Sequence, residues 1–198
     1  MNAGQRFARF VTDVVVRRPA LWRLFRGLMR RQFDKLAPVW DAMRSPDAFA
    51  PVEVALAALP DTPKTILDLG TGTGSVAQLV AARFPGADVT GVDVSPKMVA
   101  IAREKVPGVR FEVGDAGRLP YGDGAFELVT LGNMIPFFGE LARITAPGGH
   151  VLFSFSAGDE TPIYVPAETL RRELAERGFA DFADFSAGRG TAFLARRR

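Results

Sequence analysis

Apolar positions near the N-terminus recur at helical spacing. Phe7, Phe10, Val11, Val14 and Val15 fall at i, i+3, i+4, i+7 and i+8, and after an interruption at Pro19 the pattern returns in Leu21, Leu24, Phe25, Leu28 and Met29, with Arg23, Arg26 and Arg30 opposite. Such spacing lines one face of an amphipathic helix, so two helices are predicted there. A stretch punctuated by Pro38, Pro46 and Pro51 reads as linker, and Val52 to Leu59 as a short helix stopped by Pro60. From Lys64 short apolar runs alternate with helical ones. Strands are expected over 65–69, 88–92, 109–113, 126–131, 150–155, 181–185 and 191–195, and helices over 75–84, after Ser95-Pro96, around 140–144 and over 168–177. Ser95 suits an N-cap and Pro96 the first helical position. Strands alternating with helices of this length predict an α/β fold with a doubly wound parallel sheet. The chain divides into an N-terminal helical arm, residues 1–60, and a body, residues 61–198.

Charge sharpens that division. Residues 1–35 hold nine basic side chains against Asp13 and Asp34, a balance of +7, while the remainder stands at −4. An acidic body with a basic arm lacks the even basic surface of a nucleic-acid-binding domain, and no nucleic-acid partner is expected. The arm reads first as a lid whose apolar face packs on the body. The other reading is a membrane-surface helix, with Trp22 at the interface and arginines toward anionic lipid. With 47% hydrophobic and 24% charged residues the composition is that of a globular domain. No apolar run approaches the ~18 residues of a membrane span, and Arg6, Arg9, Asp13, Arg17 and Arg18 break up any signal-peptide core. A cytoplasmic location, with peripheral membrane contact as a variant, follows as the expectation. The absence of cysteine removes disulfide, thiolate-zinc and thiol-nucleophile chemistry, and His150 alone cannot build a histidine metal cluster.

The strongest local signal is Ile66-Leu67-Asp68-Leu69-Gly70-Thr71-Gly72-Thr73-Gly74, an expected strand running into alternating glycines and then a helix. Glycines let the backbone turn sharply and let a ligand lie against main-chain N–H groups at a helix N-terminus. Asp93 ends the second strand, where a carboxylate can accept hydrogen bonds from both hydroxyls of a ribose. Asp115 follows the third strand, where a carboxylate can accept from the exocyclic amine of adenine. A nicotinamide reading is weaker. Its G-x-G-x-x-G/A pattern, counted from Gly70, reaches Ser75 at the third site, leaves Asp115 without a role and offers no second domain.

These residues, with Val92 to Met98, Gly114 to Pro120, Ala125 to Val129 and Leu141 to Ile144 leading to Pro147-Gly148-Gly149, resemble the class I S-adenosylmethionine-dependent methyltransferases. Within them the chain looks most like the small-molecule branch containing the C-methyltransferases of ubiquinone and menaquinone biosynthesis, and Phe33 to Asp41 is similar to the aromatic-Asp segment that precedes the fold there. The resemblance implies a Rossmann-like sheet of seven strands, the last antiparallel, and S-adenosylmethionine as cofactor, leaving as S-adenosylhomocysteine. It implies that Asp68, Gly70, Thr71, Gly72 and Gly74 hold the methionine part. Asp93 would bind the ribose, Val94 and Met98 would lie against the adenine, Asp115 and Ala116 would meet its edge, and backbone from Leu131 to Asn133 would border the sulfonium.

After the fourth strand, where such enzymes carry their acceptor determinants, the chain reads Leu131-Gly132-Asn133-Met134-Ile135-Pro136-Phe137-Phe138. This is neither the Asn/Asp-Pro-Pro-aromatic of amino-methylating nucleic-acid enzymes nor the acidic cluster of magnesium-dependent ones. A small lipophilic acceptor is expected, with Phe33, Trp40, Met134, Phe137 and Tyr164 as candidate contacts and no metal. By residue type Tyr121, Tyr164, Asp123 and Glu140 can act as bases, but no spacing selects among them, so the catalytic residue is unassigned. An activated sulfonium needs mainly an acceptor held in line with water excluded. A non-catalytic cofactor-binding or membrane-surface protein is the alternative from another class.

Overall fold

A computed structural model describes residues 1–198. Its body is a seven-stranded sheet in the order β3-β2-β1-β4-β5-β7-β6, built from β1 (Thr65–Leu69), β2 (Asp88–Asp93), β3 (Arg110–Val113), β4 (Phe126–Gly132), β5 (Thr145–Phe155), β6 (Phe179–Ala187) and β7 (Gly190–Arg197). The five strands from β3 to β5 in this order pair in parallel, and β7 runs antiparallel to both neighbours. The expected seven strands and antiparallel last strand are both present. The order reverses at β1, which opens a crevice at the carboxyl ends of β1, β2 and β4, the place where open α/β sheets bind ligands.

Both sheet faces are covered, and period-two alternation sorts the strand residues between them. Leu67, Leu69, Val129, Leu131, Val151 and Phe153 point into one core with α1 (Ala3–Arg17), α2 (Trp22–Leu36), α6 (Phe138–Ile144) and α7 (Ala167–Ala175). Ile66, Leu128, Leu152 and Leu194 point into the other, with α3 (Ala50–Ala57), α4 (Ser75–Arg83) and α5 (Pro96–Lys105). Ser95 caps α5 by accepting from the Met98 N–H at 3.2 Å, with Pro96 in the first turn, as its sequence predicts. Asn2 forms a reciprocal capping box with Gln5 on α1.

Two expectations about elements change. β5 begins at Thr145 rather than 150, running through Pro147-Gly148-Gly149. A Cβ on Gly149 would stand 2.8 Å from the Glu127 carbonyl oxygen, so the residue read as a turn signal is what lets the strand lie against β4. On α2 the inward face is rotated from the one expected. Trp22 and Met29 are buried at 7% and 0% exposure, while Leu24 and Leu28, assigned to the packing face, stay 64% and 51% exposed. The helix carries two apolar stripes, and the body takes the one whose large indole also brings an N–H to a carboxylate. With Trp22 buried, its expected place at a membrane interface is not available.

The arm is tied to the body by directional bonds as well as by packing. Arg9 donates to the carbonyls of Asp159, Thr161 and Pro162 at 2.6, 2.6 and 3.2 Å. The Ser95 hydroxyl donates to Asp34 at 2.6 Å, fixing α2 over the start of α5. No helix is long and apolar enough to cross a membrane.

Candidate active site

The floor is the β1–α4 turn. Gly70 and Gly72 take left-handed φ values of 73° and 54°, a region open to glycine and strained for residues with a Cβ. The Gly70 and Thr71 N–H groups donate to the Val92 carbonyl at 2.8 and 3.0 Å, locking the turn to the end of β2. Asp68 lies beneath it, 1% exposed. Its two oxygens accept from the Thr71 and Thr130 hydroxyls at 2.6 and 2.8 Å, and burial raises its pKa above the ordinary carboxyl range. Asp93 closes β2. Its oxygens accept the backbone N–H groups of Gly72 and Ser95 at 2.9 and 2.8 Å. Burial, seconded by the charges of Asp68 and Asp34, pushes its pKa up to about 6.

The roof comes from the arm and the segment after it. Trp22, Met29, Phe33, Trp40 and Arg44 face the floor across a cavity bounded also by Asp68, Gly70, Thr71, Gly72, Val94, Met98, Ala116 and the stretch Gly132 to Ile135. Two short 3₁₀ turns, Ala37–Val39 and Asp41–Met43, aim Trp40 and Asp41 at the glycine turn. A Cβ on Gly72 would stand 3.3 Å from Trp40 Nε1. Asp41 accepts from Thr73 and Lys105 at 2.6 and 2.7 Å. Burial alone would raise its pKa, but these bonds and the Arg44 charge hold it below the ordinary value. The Arg44 guanidinium donates to Asp41 at 3.0 Å and to the Ser75 hydroxyl. The far wall carries strain. Asn133 has φ 50° and is held there by a two-way bond with Ser156, donating from Nδ2 to Oγ and accepting from the backbone N–H, both at 2.9 Å. Asn is among the few residues that tolerate this region, and strained residues concentrate where a structure must place a group accurately.

Most of the residues singled out from sequence meet here. Asp68, Gly70, Thr71, Gly72, Asp93, Val94, Met98, Ala116, Asn133, Phe33, Trp40 and Met134 all border the cavity. Gly74 and Leu131 stand behind it, Gly74 as the left-handed N-cap of α4 and Leu131 in the core. Phe137 packs edge-on against Trp22 at 5.6 Å, behind the wall, and Tyr164 meets Phe155 edge-on at 4.9 Å beside a separate cleft. Asp115 differs most from its expected position. Its carboxylate accepts from Trp22 Nε1 at 2.7 Å, Arg26 at 2.6 Å and the Gly117 N–H at 2.9 Å, and it faces a groove beyond α2 rather than the cavity. Burial works to raise its pKa, and the bonds from Arg26, Gly117 and Trp22 outweigh it and lower the value. Of the possible bases, Tyr121 donates to Glu112 at 2.8 Å, a contact that with burial raises its pKa. Glu140 and Asp123 bind Arg143. None of these borders the cavity. The sequence reading missed Trp22, Met29, Arg44, Val76 and Ile163 as lining residues. Only the proximity of Arg44 to the Phe33–Asp41 segment was a usable signal.

Comparison with known proteins agrees with this geometry. A family model described as a methyltransferase domain matches residues 66–149. The demethylmenaquinone methyltransferase of Thermus thermophilus is 46% identical over 106 residues, covering 48% of this chain and 48% of that protein. That of Chlorobaculum parvum is 38% identical over 141 residues, covering 63% and 58%. The chain thus spans about half the length of these curated relatives. Among solved structures, the putative methyltransferase in complex with the Trm112 activator from Haloferax volcanii superposes with a TM-score of 0.69 at 20% identity, over 83% of this chain and 96% of that one. At that identity the likeness is one of fold.

Proposed function

We propose that the chain is a class I S-adenosylmethionine-dependent methyltransferase, a reading supported by its match to a methyltransferase domain over residues 66–149 and by its likeness to demethylmenaquinone methyltransferases, and that it moves a methyl group to a small lipophilic acceptor without a metal ion. The carrying observation is one cavity that joins a glycine turn and a hydrogen-bond-poor carboxylate to an apolar roof. The residues fit the cofactor. Gly70 and Gly72 present backbone with no side chain in the way, and Asp93 has only two backbone donors and is protonated unusually easily, which is the state of a carboxylate awaiting two ribose hydroxyls. Asp68 and the Gly70–Gly74 turn take the methionine end, Val94, Met98 and Ala116 the adenine, and the backbone of Leu131 to Asn133 the region of the sulfur. S-adenosylmethionine supplies a methyl group on a sulfonium leaving group.

What the chain itself contributes is position and dryness. Asn133, pinned through Ser156, sets the wall beside the reacting centre. Met29, Phe33, Trp40 and Met134 exclude water and favour an apolar acceptor, at ~25 cal/mol per Å² of carbon buried. Asp68 and Asp93 are the carboxylates on the cavity and both are engaged, so a carbon acceptor that carries its own activating hydroxyl suits the site. The relatives' name, demethylmenaquinone methyltransferase, points the same way, to a quinone-type acceptor. Residues 1–60 act as the lid that completes the site. The test is incubation with methyl-labelled S-adenosylmethionine and a reduced demethylnaphthoquinone. Label in the organic phase supports the proposal. Its absence there, with transfer to a water-soluble carboxylic acid or to nucleic acid instead, overturns it.

A further inference from the structure

The apolar stripe of α2 that the body leaves uncovered is not scattered. Leu24, Gly27, Leu28 and Arg31 fall at i, i+3, i+4 and i+7, all exposed, on the side of the helix opposite Trp22 and Met29. Across the helical hairpin Phe10, itself 55% exposed, meets Phe25 edge-on at 6.1 Å, so the two helices share one outer apolar surface. Large exposed apolar groups on one face of a soluble domain mark a contact surface.

The charges around it single out the partner. Arg23, Arg30 and Arg31 are exposed and form no ion pair, whereas Arg26 is bound to Asp115, and arginines of the body, such as Arg143, Arg171 and Arg189, each hold a carboxylate. Arg23 and Arg30 also line the groove between α2 and the ends of β2 and β3, beside exposed Leu24 and Val113. With a balance of +7 over residues 1–35 and −4 elsewhere, attraction to a negative surface acts on this face and repulsion on the rest. An orienting field of this kind, with apolar side chains projecting from its centre, matches an anionic bilayer.

We propose that the α1–α2 hairpin docks the protein on anionic lipid, with Leu24, Leu28 and Phe10 entering the headgroup boundary and Arg23, Arg30 and Arg31 among the phosphates. The same helix then faces lipid on one side and roofs the cavity on the other through Trp22 and Met29, so an apolar acceptor passes from bilayer to cavity along α2. That last step rests on the function proposed above, whereas the docking does not. Sedimentation with vesicles of phosphatidylcholine alone or with 30 mol% phosphatidylglycerol, without acceptor or methyl donor, separates the two. Binding should require phosphatidylglycerol and fall steeply between roughly 0.05 and 0.5 M salt as screening shortens. Each basic residue near such a surface contributes about fivefold to partition. The triple change Arg23→Glu, Arg30→Glu and Arg31→Glu should therefore lower partition at least a hundredfold, and Leu24→Ser with Leu28→Ser should lower it while leaving its salt dependence. Unchanged circular dichroism and S-adenosylhomocysteine binding establish that the variants fold. Equal binding to both vesicle types, no binding at low salt, a charge-reversed triple variant that binds as wild type, or preference for RNA or an acidic protein over vesicles overturns the proposal. Vesicle binding without methyl transfer would leave the docking standing and sink the acceptor assignment.

Discussion

Asp93 makes cofactor affinity depend on pH in a calculable way. Its carboxyl sits at about 6, against 3.8 for an unperturbed group, a difference equivalent to about 3 kcal/mol. The cause is burial, reinforced by the nearby charges of Asp68 and Asp34, which together outweigh the lowering effect of the two backbone donors. Ribose hydroxyls donating to both oxygens would favour the ionised form and return the pKa toward 4. Binding then expels a proton wherever the free site holds one. Affinity is flat above pH 7, falls through 6, and is about tenfold weaker at pH 5, since a fraction near nine-tenths of free sites is protonated there. For folding of the cofactor-free chain the sign is opposite to that of a salt-bridged aspartate. This group favours the fold below about pH 4 and its contribution is lost as pH rises through about 6. Titration of S-adenosylhomocysteine by quenching of Trp22 and Trp40, both on the cavity, at pH 5, 6, 7 and 8 measures it. Asp93→Asn should bind at least tenfold more weakly at pH 7 and show a flat profile. A wild-type affinity constant from pH 5 to 8, or an Asn variant that keeps the slope, refutes the reasoning.

Four further outcomes follow from the geometry. If the adenine amine needs Asp115, it must displace Trp22 Nε1, whose 2.7 Å bond to that carboxylate is of the class contributing about 1.5–3 kcal/mol. Trp22→Phe should tighten cofactor binding about tenfold in calorimetry, and weaker binding would show that the indole belongs to the bound site. Gly70→Ala forces a Cβ into φ 73° and to 2.6 Å from the Met134 sulfur, so thermal unfolding should register a loss of about 1–3 kcal/mol together with weakened cofactor binding. Phe33→Ala should raise the acceptor KM more than that of the cofactor, and EDTA should leave kcat unchanged, because Gly132, Met134 and Ile135 carry no side-chain oxygen or nitrogen. Inactivation by EDTA or an unaltered acceptor KM in steady-state kinetics would contradict this.

The sheet was legible because buried parallel strands are short apolar runs ended by glycine, proline or an acid. Asp68 and Asp93 were legible because the chemistry of a strand end is local. The roof was not. Trp22 and Leu24 look equivalent to a periodicity count, since α2 carries apolar residues on more than one side, and only the body decides which stripe it buries. Asp115 was placed correctly at its strand end, yet its partners Trp22 and Arg26 lie 93 and 89 residues away. Asp41 acts from a 3₁₀ turn and Arg44 from the residue that ends it, and such short segments leave no periodic trace.

The bonds from Arg9 to the carbonyls of 159–162 span about 150 residues, and β7 inserts between β5 and β6. On the ribosome, at roughly 5–20 residues per second, the first helices therefore wait about 10–30 s for the surface they cover. Throughout that interval α1 lacks the carbonyls that Arg9 binds, and afterwards, until β7 emerges, the edge of β5 offers unpaired backbone to any passing strand. The nascent chain thus presents both faces of its lid at once, one of them intended for its own body. Whichever apolar surface reaches the hairpin first, a chaperone, a bilayer or a neighbouring chain, competes with the fold itself.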